Sequence, residues 1–229
     1  MKIQLEKTEK NALAAILLCL FFYVILPFVL VRFFPSVSAL LKNCHWVLIV
    51  SPMVFISSIL YLYSRETFIT KDDFRDLPVL KIGLYSLGML PVCGGVSYLW
   101  LELLDVLKIQ YSKDVPIEDF IRSLGGFELA AAGIFICILT PLFEETVFRR
   151  VIFSGIRAHC LPVTSTVITS MLFAILHGIL FQLLPLFVLG LYFQILVLRE
   201  KRLGASIFAH FINNTIAFAV LLLLKYTAL

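Results

Sequence analysis

Two adjacent glutamates and two separate histidines lie inside long apolar stretches of this sequence. Glu144 and Glu145 interrupt one apolar run, and His177 and His210 each lie in a later run. A charged group near the centre of a bilayer costs about 2.5 to 3.5 kcal/mol, so such residues are retained mainly where they meet one another. A carboxylate together with imidazoles can supply a general base for water and donors for an oxyanion, which amide hydrolysis requires.

The spacing around the two glutamates predicts that one of them forms an ion pair on its own helix and that the other does not. On a helix, Glu145 and Arg149 are four residues apart with the glutamate first, the better order for an ion pair. Glu144 is turned by about 100° and points elsewhere, into the bundle. Pro141 is expected to loosen the helix and free a carbonyl. These charges can also mark the cytoplasmic end of a helix, but apolar sequence resumes at Val151, which favours a continuing helix.

In each of the two histidine segments, two motif residues are four positions apart, which is about one turn of a helix. His177 ends the motif that begins at Phe173, and His210 precedes Asn214 by four residues, so the last pair shares one helix face. A structural interpretation exists for both segments. A lone histidine can be a packed, hydrogen-bonded residue, and a His and Asn pair can serve as interhelical hydrogen-bond glue.

The composition places these residues in a membrane protein. Apolar residues make up 61% of the 229 residues and charged residues 15%, against about 45 to 50% and about 25% in soluble domains. The net charge of +4 is spread over the loops, which argues against nucleic-acid binding. The five cysteines show no metal-ligand spacing.

Seven apolar segments are long enough, or nearly so, to cross a bilayer, which takes about 20 residues. They predict an all-α, polytopic transmembrane helical bundle of about seven spans, within a range of six to eight. The sixth segment is short and could be re-entrant. The segments are 12–34, 46–63, 80–104, 129–156, 163–181, 183–198 and 203–224.

The loops predict an orientation for this bundle. With seven spans and the N-terminus inside, 13 Lys and Arg residues fall on the cytoplasmic side and 6 on the other, which favours a cytoplasmic N-terminus. We expect one integral membrane domain, with N-terminal helices and loops at 1–126 and a catalytic core at 127–229. The short chain without an organelle signal favours a bacterial plasma membrane. The oligomeric state cannot be read from the sequence.

The three polar segments resemble, in order and on separate helices, the motifs of the CPBP family of intramembrane proteases. This group, also called Abi, includes CAAX proteases, bacteriocin-processing proteins and the type II CAAX prenyl endopeptidases. The matching residues are Glu144-Glu145-x-x-x-Arg149, Phe173-x-x-x-His177 and His210-x-x-x-Asn214. The resemblance covers about Leu129 to Leu224, and the first hundred residues match only as generic membrane helices.

The resemblance implies an intramembrane endopeptidase that cuts a peptide or protein substrate in or near the lipid bilayer. By similarity, Glu144 and His177 would position and activate water, and His210 and Asn214 would stabilise the tetrahedral oxyanion. Supporting roles are implied for three further residues: Glu145 and Arg149 would hold the architecture, and Phe173 would wall the cavity.

The resemblance leaves the cofactor and the substrate open. Glu144, His177 and His210 could supply a zinc site of two His and one Glu. The sequence lacks H-E-x-x-H, however, so we favour a metal-free glutamate mechanism with no cofactor. Two non-protease hypotheses remain: a non-catalytic relative acting in bacteriocin self-immunity or as a scaffold, and a proton-coupled transporter, for which no paired half repeats are found.

Overall fold

The computed structural model describes residues 10–18, 21, 69–111 and 116–227. Regular structure in these residues is helical and contains no strand, which confirms the predicted all-α class. Residues 10–18 are helical. The main helices are α1 (Val79–Val106), α2 (Pro116–Ser123), α3 (Gly126–Arg157), α4 (Pro162–Leu176), α5 (Leu183–Glu200) and α6 (Leu203–Thr227).

Within the described residues, four segments are long and apolar enough to cross a membrane: α1, α3, α6 and α5 together with the turn before it, Leu180–Glu200. They correspond to the predicted third, fourth, seventh and sixth spans. The first predicted span, 12–34, lies outside the described residues except for 12–18 and 21, and the second, 46–63, lies wholly outside them. The bundle is therefore confirmed as polytopic, and the count of seven stays a prediction.

The short helix is the fifth predicted segment and not the sixth, which corrects the sequence interpretation. Helix α4 has 15 residues and ends at Leu176, with His177 as its C-cap. Gly178 follows at φ 68°, a left-handed conformation that a residue without a Cβ adopts readily. The 3-10 turn Leu180–Gln182 then leads into α5, so residues assigned to the fifth segment lengthen the sixth.

Helix α3 is distorted on both sides of its glutamates. Its α-helical stretch Thr140–Glu145 lies between two π-helical stretches, Phe135–Leu139 and Thr146–Ile152. Pro141 has no N–H, and in a π register that missing donor would have bonded to the carbonyl of Ile136. The Asn214 amide donates to that carbonyl instead, at 2.9 Å. The predicted loosening at Pro141 is thus present, and α6 supplies the replacement donor.

The hydrophobic core lies between α3, α4, α5 and α6. Ile152, Phe173, Phe193 and Ala209 are at most 1% exposed and belong to one buried cluster. Small residues let these helices approach. A Cβ at Gly133 would lie 3.0 Å from the ring of Phe218 on α6, which agrees with the small-residue character of this part of α3.

The polar segment before α1 binds the ends of α3 and α6. Asp73 forms an ion pair with Arg150, and Arg202 donates to the backbone carbonyl of Asp72 at 2.8 Å. Gly204 lies so close to Asp73 that a Cβ would overlap the Asp73 carbonyl oxygen. Three segments that the charge count assigns to the same side of the membrane therefore meet. The assignment of that side to the cytoplasm stays a prediction.

The carboxylate of Asp73 makes the stability of this junction depend on pH. Burial acts to raise the Asp73 pKa, but hydrogen bonds from Thr70 and the Arg150 guanidinium outweigh it, so the pKa lies below its ordinary value. A depressed pKa in the folded state stabilises the fold above the unfolded-state pKa of about 3.9, and this contribution is lost as the pH falls below that value. We expect the thermal unfolding temperature to fall on acidification from pH 6 to pH 3 in detergent solution.

Asparagine substitutions test whether Asp73 is the carboxylate that causes the fall in unfolding temperature at acid pH. In Asp73→Asn that part of the acid dependence should disappear, and the protein should already be less stable at pH 6. Asp76→Asn is the matched control, because Asp76 is 83% exposed and its pair with Arg75, at 3.4 Å, is a weak surface contact. An acid transition of equal size in Asp73→Asn and in the wild type would assign the transition to other carboxylates.

Candidate active site

The predicted ion pair on α3 is present and completely buried. The Glu145 and Arg149 side chains are both 0% exposed, and Arg149 Nε donates to Glu145 Oε2 at 2.9 Å. The two Nη atoms of Arg149 are buried without a hydrogen-bond partner in the part of the chain that is described. The guanidinium also lies over the Phe173 ring, 5.1 Å from its centroid, which gives the cation a second favourable contact.

The imidazole of His210 connects α6 to both glutamates. Its Nδ1 atom lies 3.0 Å from Glu145 Oε1, and its Nε2 atom lies 3.8 Å from Glu144 Oε2. We assign the Nδ1 proton from this hydrogen bond, because Glu145 accepts and Nδ1 must donate. The Nε2 atom then faces Glu144, too far for a direct hydrogen bond but close enough for one water molecule to contact both groups.

Glu144 combines burial with an open hydrogen-bonding position. The residue is 7% exposed, and its Oε2 atom has no hydrogen-bond partner within the described residues. A buried acceptor without a donor is costly, and in a native protein it usually indicates a bound water or a functional role. The prediction that one glutamate is neutralised locally while its neighbour points into the bundle agrees with this arrangement.

His177 lies at the end of α4 and not inside a helix. Its Nδ1 atom is 2.7 Å from the Phe173 carbonyl oxygen, so Nδ1 carries a proton and a neutral ring keeps Nε2 as a free acceptor. The Phe173 ring lies 4.6 Å from the His177 ring and 6.1 Å from the His210 ring, centroid to centroid. The motif residues of α4 and α6 are therefore gathered around one buried phenyl ring.

Asn214 is half-buried and bonded to α3. One amide N–H donates to Ile136, as described above, and the second N–H of the same group can serve another acceptor. Its position one turn beyond His210 is the one that the sequence predicts. The structure thus combines a helix-bracing contact with a remaining donor near the His210 face.

One residue of α5, Phe193, contacts the site and was missed by the sequence reasoning, and the buried Gln194 follows it in the chain. The Phe193 ring stacks on His210 with centroids 4.8 Å apart and an interplanar angle of 21°. Gln194 is 0% exposed, and neither its oxygen nor its nitrogen has a partner in the described residues. Phe193 carries no signal in an apolar run, whereas a glutamine in the middle of such a run could have been noticed.

The positions of the side chains that could bind zinc bear on the zinc alternative. Among the described residues, no three His, Cys, Asp or Glu side chains lie close enough together to hold a metal ion. In each histidine Nδ1 is engaged, by Glu145 in His210 and by a backbone carbonyl in His177, which leaves Nε2 as the atom that could bind a metal, so the separation of the three side chains and not their hydrogen bonding decides the point. The predicted zinc set of Glu144, His177 and His210 does not assemble in this arrangement, and we derive no step through a metal.

Comparison with known proteins shows what the part of the chain that carries this site is similar to. The family model "Type II CAAX prenyl endopeptidase Rce1-like" matches residues 126–216, the part of the chain that runs from the start of α3 through Asn214. The resemblance to membrane proteases of the CAAX type is therefore confirmed over this part of the chain.

One curated relative makes the comparison more specific. The chain is 36% identical over 78 residues to "Putative membrane peptidase YdiL" of Bacillus subtilis (strain 168). The aligned region covers 34% of this chain and 32% of the relative, so the chain spans about a third of the length of the protein that it matches. No solved structure matches the chain.

Proposed function

We propose that this protein is an intramembrane endopeptidase that hydrolyses a peptide bond in or near the bilayer with water activated by glutamate and histidine. The observation that carries the proposal is the environment of Glu144. A buried carboxylate oxygen of Glu144, which has no donor among the residues that the structure describes, lies 3.8 Å from Nε2 of His210, and Glu145 holds the other side of that imidazole. A water molecule beside both atoms would lie within reach of a carboxylate that can act as a general base.

In the proposed first step, Glu144 takes a proton from the water as its oxygen attacks the carbonyl carbon of the substrate. His177 contributes its free Nε2 atom, which can accept the second water hydrogen and fix the direction of attack. The product of this step is a tetrahedral intermediate with a negatively charged oxygen. Glu144 then returns the proton to the leaving nitrogen as the C–N bond breaks, so that protons balance over the cycle.

The oxyanion requires donors, and we assign these to His210 and Asn214. His210 donates from Nε2 when that atom carries a proton, and its Nδ1 atom is held by the Glu145 carboxylate. Arg149 is bonded to the same carboxylate and holds it in place. Asn214 adds the N–H that it does not use in its contact with α3.

The proposed substrate is a peptide or protein segment that reaches the site from the lipid or the side of the predicted cytoplasmic loops. In this proposal the substrate would bind between α3, α4 and α6, the helices that carry the three motifs. A bacterial plasma membrane remains the proposed location, with the N-terminus in the cytoplasm. No nucleic acid or cofactor is proposed as a partner.

The proposal can be tested with purified protein in proteoliposomes, assayed in parallel for cleavage of membrane-anchored peptides and for proton flux. His177→Ala should lose cleavage, because the water loses one acceptor, while the exposed His159→Ala serves as the matched control. Proton flux lost in His177→Ala would support a transporter instead. Binding of peptides without cleavage in the wild type would support the scaffold hypothesis.

Addition of a chelator in the same assay tests whether cleavage requires a metal ion. Cleavage that continues after chelation, in protein whose metal content has been measured, is the expected result for a glutamate mechanism. Loss of cleavage on chelation and its recovery with added zinc would contradict the metal-free form of the proposal.

A further inference from the structure

One face of the His210 imidazole is covered by an aromatic ring that the proposed mechanism does not use. The Phe193 ring of α5 lies 4.8 Å from the imidazole, centroid to centroid, with an angle of 21° between the two planes. Both residues are buried, with Phe193 0% and His210 4% exposed. The Phe173 ring also contacts His210, but at an angle of 79°, so it does not lie flat against the imidazole. The near-parallel stack is therefore a contact of a different kind.

A hydrogen bond alone does not fix the orientation of a histidine ring. The Cβ–Cγ torsion of histidine is broad, because it joins a tetrahedral carbon to a planar ring. A rotation of half a turn keeps the ring plane and puts a carbon where each nitrogen was. Glu145 selects between these two orientations, since it accepts from Nδ1 at 3.0 Å. Smaller rotations tilt the plane, and a tilted imidazole would press its edge into the Phe193 ring. The carboxylate and the phenyl ring thus restrain different rotations.

The plane of the imidazole matters because it sets the direction in which Nε2 can bond. This atom lies 3.8 Å from Glu144 Oε2, a gap that one water molecule could bridge. The bonding direction of Nε2 is inclined to the Cβ–Cγ axis, so a tilt of the ring swings that direction away from the gap. Hydrogen bonds weaken steeply as they depart from linearity. A ring that is free to tilt would therefore spend less time in the geometry that the proposed reaction needs.

Phe193 is itself held in place by the packing of α5 on α4. Its ring meets the Phe173 ring edge-on, with centroids 6.4 Å apart and planes at 84°. Phe173 is 1% exposed. A Cβ at Gly190, three residues before Phe193, would lie 3.4 Å from Cδ1 of Phe173, so the α5 backbone lies against that ring. Since interiors are close-packed, a ring held in this way can restrain its neighbour.

We propose that Phe193 is a positioning residue of the site, whose ring fixes the plane of the His210 imidazole so that Nε2 faces the gap beside Glu144. The restraint on the ring stands without the proposed peptidase activity, whereas its effect on turnover rests on that activity. Phe193 acts through His210, because a phenyl ring has no proton to give or take.

Kinetics of two matched variants test the effect on turnover. Phe193→Leu removes the flat ring and keeps an apolar side chain, and it should lower kcat by about 10- to 100-fold, the scale of a misplaced catalytic group. KM should change little. Phe148→Leu is the control, because Phe148 is 6% exposed and meets the Phe173 ring edge-on at 5.2 Å and 83°, much as Phe193 does. Both variants lose a buried ring and should unfold at a lower temperature, but Phe148→Leu should keep a kcat near that of the wild type. An equal kcat in the two variants would overturn the proposal.

Phe193→Met keeps the kinetic test readable if Phe193→Leu does not fold. Methionine is flexible and fills irregular gaps in a core, but it offers no flat surface to an imidazole. It should lower kcat on the same scale as Phe193→Leu. A folded Phe193→Met with the kcat of the wild type would show that the flat ring is not needed and would overturn the proposal.

A measurement without substrate tests the restraint itself. In protein with isotope-labelled histidine in detergent micelles, the Nδ1 proton of His210 is protected from exchange by its bond to Glu145, and its signal is identified by its loss in His210→Gln. Exchange of this proton should be several-fold faster in Phe193→Leu or Phe193→Met than in the wild type and in Phe148→Leu. Unchanged exchange would overturn the restraint. A wild type without peptidase activity would contradict only the proposed function, because the exchange comparison remains readable.

Discussion

Glu144→Gln is expected to lower the rate of peptide hydrolysis by about 10²- to 10⁴-fold, the usual contribution of a general base. The amide has nearly the same shape as the carboxyl group and cannot take a proton from water. Stability should be unchanged or slightly higher, because the substitution removes the charge of a buried group whose Oε2 atom has no donor among the described residues. The combination of lost activity and retained stability separates a catalytic carboxylate from a structural one.

The measurement is single-turnover cleavage of a membrane-anchored peptide, followed beside thermal unfolding of the same preparation. Glu102→Gln is the control, since Glu102 is an exposed carboxylate on α1. Activity of Glu144→Gln close to that of the wild type would rule out Glu144 as the base. A parallel loss of activity and stability would instead give Glu144 a structural role.

Arg149→Met should be the most destabilising single substitution at the site. Removal of one partner from a buried ion pair costs about 3 to 5 kcal/mol, because the other charge is left buried without compensation. For a chain of this length that corresponds to a fall of roughly 6 to 20 °C in unfolding temperature. The contact of the guanidinium with the Phe173 ring is lost as well.

Two comparisons make this prediction specific. Arg122→Met removes an arginine with the same i,i+4 spacing from Glu118, at 2.8 Å, but both side chains are about a third exposed, so a cost below about 1 kcal/mol is expected. The double variant Glu145→Gln with Arg149→Met should recover part of the lost stability, since neither charge remains. A double variant as unstable as Arg149→Met alone would show that packing, and not the unpaired carboxylate, causes the loss.

The same double variant distinguishes the effect of Glu145 on the orientation of His210 from its effect on the stability of the fold. Without the Glu145 carboxylate, His210 loses the acceptor that orients its ring, so kcat should remain low even where the fold is recovered. In the proposed mechanism, Glu145 and Arg149 would therefore act on the reaction through His210 and not by contact with the substrate.

The sequence determined those features that depend on spacing along one helix. The Glu145 and Arg149 pair and the shared face of His210 and Asn214 follow from a repeat of 3.6 residues per turn, and both are present. The helical class follows equally from composition, because apolar runs of this length leave no other way to satisfy the backbone in a bilayer. The disturbance at Pro141 was also predictable, since proline has no N–H to donate.

Tertiary structure decided which partner each polar group meets. Which glutamate binds His210 depends on how α6 lies against a helix with two π-helical stretches, and those stretches change the direction of every later side chain. The end of α4 at His177 was decided by a local turn at Gly178 that the long apolar run concealed.

The contact of α5 with the site is the feature that the sequence predicted least. Phe193 joins the site only because α5 returns against α4, where Gly190 allows close contact. Apolar periodicity in a membrane helix does not mark which face meets protein, since lipid and protein interior are equally apolar. Local spacing therefore determines the chemistry of each helix, and the packing of one helix on another determines which of those groups act together.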